Sequence, residues 1–294
     1  MTTLAGGLGR TSGQEVAHRK VTWKRDIERA SRGAYPTRVA SEQPNSASVA
    51  VADARHAAEL DQGTRLATAD ADSVWGWGGA AGTIRADRRA RFMIEHCRLG
   101  QGIRCLELGA GTGIFTERLA ATGCDLVAIE LSPDTAARCQ AKVGGAAEVV
   151  VGNIETGEGL EGRTFDAIVG VSVLHHVDLL AALASTFSLL AGAGRFAFSE
   201  PNILNPLIWA ERNIDWLRRR RHVLEHERAF TAAGLKGVFE EAGYAVDVAE
   251  PYEFLWPTAP RSLIPGVLRL EPLLERTPLR AIAGSVHIAG HRAA

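Results

Sequence analysis

Leu106-Glu107-Leu108-Gly109-Ala110-Gly111-Thr112-Gly113 lies between an apolar segment and an Ala/Leu-rich helical one. It reads as a strand feeding a glycine turn that opens a helix. Glycines at alternate positions let backbone pass close to a ligand, and free N–H groups at a helix start attract negative charge. A nucleotide-like ligand is the first expectation. The spacing narrows it, because a G-x-G-x-x-G dinucleotide fingerprint needs a further glycine at position 114 or 116, where the chain has Ile114 and Thr116. What stands here is E-x-G-x-G-x-G, with Glu107 near the strand end and a second acid, Glu130, closing the next apolar run. A carboxylate ending the second strand of an α/β sheet can accept both hydroxyls of a ribose.

Working outward, strands are expected near 103–108, 125–130, 147–151, 165–171 and 195–200. Helices fill the gaps, for example from Thr112 and from Pro133, a residue suited to a first helical turn. Repeated β-α units imply a parallel sheet with right-handed crossovers. Tyr244–Glu250 and Ser285–His291 read as two final strands. Before the sheet, residues 1 to about 70 are rich in Gly, Ser, Ala and Arg and become more helical after Val49, so they are expected to be an N-terminal extension with a mobile start. A helix around Thr83–Arg91 leads into the first strand.

Four blocks fall after strands in order: LELGAGTGIF, VAIELSPD ending at Asp134, VVVGNIE ending at Glu155, and FDAIVGVSVLHHV from Phe165 to Val177. With them the chain resembles the class I S-adenosylmethionine (SAM)-dependent methyltransferases, small-molecule members of the UbiE/type 11-like group. The resemblance implies an α/β, Rossmann-like seven-stranded sheet, mostly parallel with an antiparallel last strand and helices on both faces. It places the methyltransferase domain at 71–294, with substrate-cover inserts at 201–228 and 251–284.

It also assigns a cofactor pocket. Gly109, Gly111 and Gly113 would pass under the methionine portion, with Glu107 helping to hold its amino group, directly or through water. Glu130 would take the ribose diol, and Leu131 would cover one face of adenine. Asn153 and Ile154 would address the adenine edge through a side-chain amide and a backbone N–H. Ser172 would lie near the reacting methyl. Arg85 either pairs with the methionine carboxylate or is a surface charge on an arginine-rich helix. Trp75 and Trp77 either pack that helix on the sheet or cap the sulfonium cation.

Methyl transfer is an in-line displacement that needs positioning more than covalent chemistry. A hydroxyl or protonated amine acceptor also needs a base. His175 or His176 can take a proton near neutral pH, and Glu200, on the same rim after the fifth strand, is the alternative base or an acceptor-binding group. Asn202 reads equally, and Asn205 more readily, as a turn residue whose side chain satisfies backbone groups. The expected reaction is transfer from SAM, leaving S-adenosylhomocysteine (SAH), to an oxygen of a secondary metabolite or related intermediate. The alternatives are C- or N-methylation of an isoprenoid, polyketide or peptide intermediate, or a catalytically inactive SAM-binding scaffold.

Within the second half, Leu207–Leu217 reads as an amphipathic helix that could close over the acceptor. Arg218–Arg221 follow as a solvated face, with Asp215 as a partner, or as a dock for an anionic or carrier-bound acceptor. The 294 residues carry a formal charge of −1 and are 46% hydrophobic, which gives no general attraction for nucleic acid or anionic membrane. Cys97, Cys105, Cys124 and Cys139 form no C-x-x-C pair and no metal spacing with His, so free thiols and no metal are expected. No stretch has the apolar length of a membrane span or a secretory signal, which suits a cytoplasmic protein without stable membrane association. The strand-four loop has neither the Asn/Asp-Pro-Pro-aromatic of amine methylation on bases nor the carboxylates of metal-assisted catechol methylation. No cysteine follows a proline, as C5 methylation of cytosine would need.

Overall fold

The structure, a computed structural model, describes residues 46–68, 72 and 75–293. The expected mobile start, residues 1–45, lies outside the described residues. In chain order the helices and strands are α1 (Ser46–Thr68), α2 (Gly79–Cys97), β1 (Arg104–Leu108), α3 (Ile114–Ala120), β2 (Asp125–Glu130), α4 (Pro133–Val143), β3 (Glu148–Val151) and β4 (Phe165–Val171). There follow α5 (Leu179–Leu189), β5 (Leu190–Pro201), α6 (Pro206–Asn213), α7 (Asp215–Arg220), α8 (Ala232–Glu241), β6 (Tyr244–Tyr252), α9 (Ile264–Leu274) and β7 (Ser285–Arg292).

The sheet has seven strands in the order β3-β2-β1-β4-β5-β7-β6. The first five are parallel, and β7 runs antiparallel to both β5 and β6. Connections leave β1 toward β2 on one side and reach β4 on the other, so the order reverses beside β1. A crevice opens at the carboxyl ends of the strands at such a reversal. Strand ends follow the same polarity: Arg104 and Asp125 start β1 and β2 exposed, while the residues after them are buried.

Both faces are covered, as buried parallel strands require. One face packs Phe196, Phe198, Phe239 and Tyr244 with residues of α5 and α8. Tyr244 keeps its hydroxyl bonded to Thr186 and the Leu183 carbonyl, at 2.8 and 3.0 Å. Smaller side chains, among them Ala86, Ala90, Cys105 and Cys139, fill the other face under α2, α3 and α4. All four cysteines are buried free thiols. Local chemistry starts the helices: Ser132 caps α4 with Pro133 in its first turn, and Asp178 caps α5 by accepting from the Ala181 N–H at 3.1 Å.

Strand ends shift by one or two residues from expectation, and three differences have a local cause. α3 begins at Ile114 rather than Thr112 because Gly113, at φ 84, continues the turn. β5 begins at Leu190, joined to β4 through a bulge between Phe165 and Ala167. The expected single helix over 207–217 breaks into α6 and α7 at Ile214, which is extended at φ −109 and ψ 108. Beside the break, the Asn213 side chain donates to the Trp209 carbonyl at 2.8 Å, competing with the helical ladder. No helix among the described residues is long and apolar enough to cross a membrane.

Candidate active site

A cavity of about 740 Å³ lies at the carboxyl rim of the sheet, between the glycine turn and the two inserts. Gly109 and Gly111 line it with φ of 68 and 51. A Cβ on Gly109 would stand 2.8 Å from Val173 Cγ2, so only glycine fits without displacing the strand-four loop. Trp75 lies over Gly111, while Trp77 packs edge-on to Phe115 at 5.0 Å with the Arg85 and Arg89 guanidinium groups 4.9 Å from its ring centroid. Trp75 thus meets the glycine turn, and Trp77 packs against Phe115 while also lining the cavity.

Glu130 reaches back across the turn: its Oε2 accepts from the Gly111 N–H at 2.8 Å and its Oε1 from the Ser132 N–H at 3.0 Å. Leu131, Asn153 and Ile154 continue the wall over β2 and β3. The Asn153 oxygen accepts from the Glu155 N–H at 2.9 Å, and its amide nitrogen faces His56 Nε2 at 3.3 Å. A glycine cradle with no room for Cβ, a carboxylate at the end of β2 and an amide at the end of β3 fit an adenosyl group with an amino-acid tail.

Two expected wall residues stand behind the wall. Gly113 caps α3 and packs against Cys139 and Lys142, away from the cavity lining. Glu107 is 2% exposed and is likewise not on the lining. Burial pushes its carboxyl up to about 8, and its Oε2 has no hydrogen-bond partner. A side chain on a strand interior points into the layer beneath the turn, which is why β1 keeps Glu107 inside. Arg85 does line the cavity, and it is a buried residue rather than a surface charge. Its Nε donates to Glu253 at 2.8 Å and its Nη1 to the Gly76 carbonyl at 3.3 Å. Burial, with Arg89 alongside, brings it down to about 10.

The acceptor side is built on the loop after β4. Ser172 turns in the left-handed region at φ 53 and donates its N–H to the Ser199 carbonyl at 2.8 Å. That conformation is uncommon outside glycine. It delivers His175 and His176 to the cavity wall. Glu200, expected as a base or acceptor ligand, is fully buried and off the lining. Its Oε1 accepts from the Val173 and Leu174 N–H groups at 2.9 Å each, and its Oε2 faces His175 Nδ1 at 2.7 Å. Glu200 therefore meets His175 and the loop backbone rather than the cavity. Asn202 and Asn205 also serve backbone, the first holding the carbonyls of Ala281 and Ala283 and the second capping α6.

Several wall residues carried no sequence signal. Glu227, from the stretch after α7, puts Oε2 3.8 Å from His175 Nε2 and 3.5 Å from the Arg212 guanidinium. Glu59 of α1 accepts from His176 Nδ1 at 2.9 Å and from His226 Nε2 at 2.6 Å. None of these partners sits at a recurring spacing. Among the four arginines, Arg218 pairs with Asp215 and Glu225, and Arg221 with Glu211. Of the four, Arg221 reaches the lining, and Arg219 and Arg220 are exposed.

Burial drives His175 well below the ordinary histidine range and pushes Glu200 up to about 7. Against burial, the Glu227 and Glu59 carboxylates raise His176 to about 9. One histidine is thus neutral and the other charged at neutral pH. His175, His176 and Glu227 have ligand-type atoms within 4.8 Å of one another. The Arg212 guanidinium stands 3.5 Å from the same Glu227 carboxylate.

The profile of the family described as "Methyltransferase domain" matches residues 84–248, more than half of the chain. A ubiquinone biosynthesis O-methyltransferase from Methylocella silvestris is 32% identical over 164 residues, covering 50% of this chain and 63% of that protein. One from Cereibacter sphaeroides is 28% identical over 177 residues, covering 55% and 70%. Among solved structures, magnesium protoporphyrin IX methyltransferase from Synechocystis PCC 6803, with bound SAH, aligns at TM-score 0.53 and 13% identity, covering 81% of this chain and all (100%) of that one. The [4+2]-cyclase SpnF aligns at TM-score 0.57 and 16% identity, covering 80% and 96%. A cyclase among the neighbours shows that such likeness carries the fold alone. By the family match, with its ordered strand-end motifs, the chain belongs to the methyltransferase-domain family and is a class I SAM-dependent methyltransferase.

Proposed function

We propose that the chain transfers the methyl group of SAM to an oxygen of a small hydroxylated molecule, with His175 as general base and Glu200 as its positioning residue. The observation that carries this is the fully buried Glu200 carboxylate, which gathers two loop N–H groups and the Nδ1 of His175, a residue of the cavity wall whose Nε2 stands 3.8 Å from Glu227. SAM supplies a sulfonium-activated methyl group. The glycine turn and Glu130 would hold its methionine and ribose portions, with Leu131, Asn153 and Ile154 along adenine. Ser172 would lie beneath the reaction centre.

An acceptor hydroxyl between the methyl group and His175 would form the new C–O bond as the C–S bond breaks. Its proton passes to Nε2, and the ionised Glu200 stabilises the imidazolium that results. The neutral state of His175 suits this role. Oxygen as the acceptor atom is further supported by relatives whose names describe O-methyltransferases. Their alignments cover half of this chain, so the acceptor itself is open to a screen.

The test pairs acceptors that differ only in O–H against N–H, with methyl-labelled SAM, in the wild type and His175→Ala. Labelled ether products that vanish in the variant, with SAH affinity retained, are expected. Methylation of the amine partners alone, or full turnover without His175, would sink the reading.

A further inference from the structure

α1 lies outside the segment matched to the methyltransferase family, yet Arg55, His56, Glu59, Gln62 and Gly63 all line the cavity. Their spacing places them on one face of the helix. That face is polar, so α1 is held across the cavity by directed contacts rather than by apolar burial. It reaches the ends of β2 and β3 and the acceptor rim. Arg55 makes a two-pronged ion pair with Glu155, and Thr64 donates to Asp134 at 2.8 Å. His56 faces Asn153. On the acceptor side Glu59 joins His176 of the β4 loop to His226 of the insert, and Gln62 donates to the His222 carbonyl at 3.3 Å. Gly63 approaches Ser132 so closely that a Cβ would stand 2.6 Å from its Cβ and Oγ.

We propose that α1 is a wall of the cofactor site that closes over bound SAM or SAH, and that Glu59 is the positioning residue clasping it to the acceptor rim. The inference rests on the SAM reading above. A helix fastened by a few polar contacts can open for exchange, whereas one buried by its apolar face would unfold with the core. Closure would also set His176 and the insert in place, because one carboxylate oxygen bonds both histidines. Cofactor retention and assembly of the acceptor rim are then one event.

The experiment measures SAH dissociation by stopped flow, with melting temperature alongside, in the full-length wild type, Gly63→Val, Glu59→Gln and the control Asp61→Asn. Asp61 is exposed and pairs only along the helix with Arg65. Gly63→Val, whose side chain wedges α1 away from Ser132, is expected to release SAH about tenfold faster or more, and Glu59→Gln several-fold faster. The control's SAH release and melting temperature stay at wild-type values, as does the apo melting temperature of Gly63→Val, and in both test variants the KM for SAM rises more than kcat falls. If Gly63→Val fails to fold, Glu59→Gln carries the test. Dissociation from both variants within about twofold of a wild type that binds SAH overturns the role of α1. A wild type that does not bind SAH overturns the cofactor reading itself.

Discussion

Glu200→Gln exchanges one buried carboxylate oxygen for an NH2 and changes little else. In the wild type Oε1 takes two backbone N–H groups at 2.9 Å each, and Oε2 meets His175 Nδ1 at 2.7 Å. The glutamine oxygen can keep both backbone donors, which leaves its NH2 facing Nδ1. The imidazole must then accept at Nδ1 and carry its proton on Nε2, so the lone pair aimed at the acceptor is lost. General-base assistance contributes about 10²- to 10⁴-fold, and that is the expected drop in kcat. Exchanging one charge-assisted hydrogen bond for a neutral one costs about 1 kcal/mol of stability. Alanine would instead strand buried donors at about 1–3 kcal/mol each, a threat to a fold whose total stability is about 5–15 kcal/mol. The assay is the initial rate of methyl transfer from roughly pH 5.5 to 9, with SAH affinity by calorimetry. Burial pushes Glu200 up to about 7, so below that pH it is protonated, donates to Nδ1 and imposes the same unproductive tautomer as glutamine. Wild-type kcat/KM is therefore expected to rise through about pH 7, and the variant to lack that limb. A variant within tenfold of wild type that keeps the limb, or one whose SAH affinity falls with its rate, would refute the reasoning.

Glu130→Ala removes the acceptor of the Gly111 and Ser132 N–H groups as well as the ribose ligand. SAH affinity is expected to fall about 10- to 150-fold by calorimetry, the range of one hydrogen bond to a charged group. Gly109→Ala combines φ 68 with a contact of 2.8 Å to Val173, and should lose about 1–3 kcal/mol in urea unfolding along with SAH binding. Gly144→Ala, at φ 58 with nothing within 4 Å, should cost less and leave SAH binding intact. Against burial, His176 and His226 hold Glu59 down at about 2, from the ordinary 4.5. It therefore contributes about 3 kcal/mol that is fully present above pH 4.5 and is lost as pH falls through about 2. The stability difference between wild type and Glu59→Gln should shrink over that window in urea unfolding, and a constant difference would contradict the clasp.

Strands, crossover helices and the glycine turn were legible because their signals are short-range. Alternating runs mark buried strands, Ser132-Pro133 starts a helix within two residues, and Gly109 needs a left-handed turn wherever the chain goes next. Acids at strand ends, Glu130 above all, could be assigned to the rim for the same reason. Orientation was harder. Glu107 and Gly113 share the motif with Gly109 and Gly111 yet sit behind the wall, since strand pleat and helix start decide which way each residue faces. The chain alone pointed to a doubly wound α/β methyltransferase whose strand-end rim carries Gly109–Gly111, Glu130, Asn153 and His175. Which acids meet the two histidines follows from the tertiary fold. Glu200 reaches His175 from 25 residues away because β5 pairs beside β4, and Glu59 reaches His176 from 117 residues away because α1 lies across the rim. Such pairings follow from sheet order and helix placement, which no local period in the chain records.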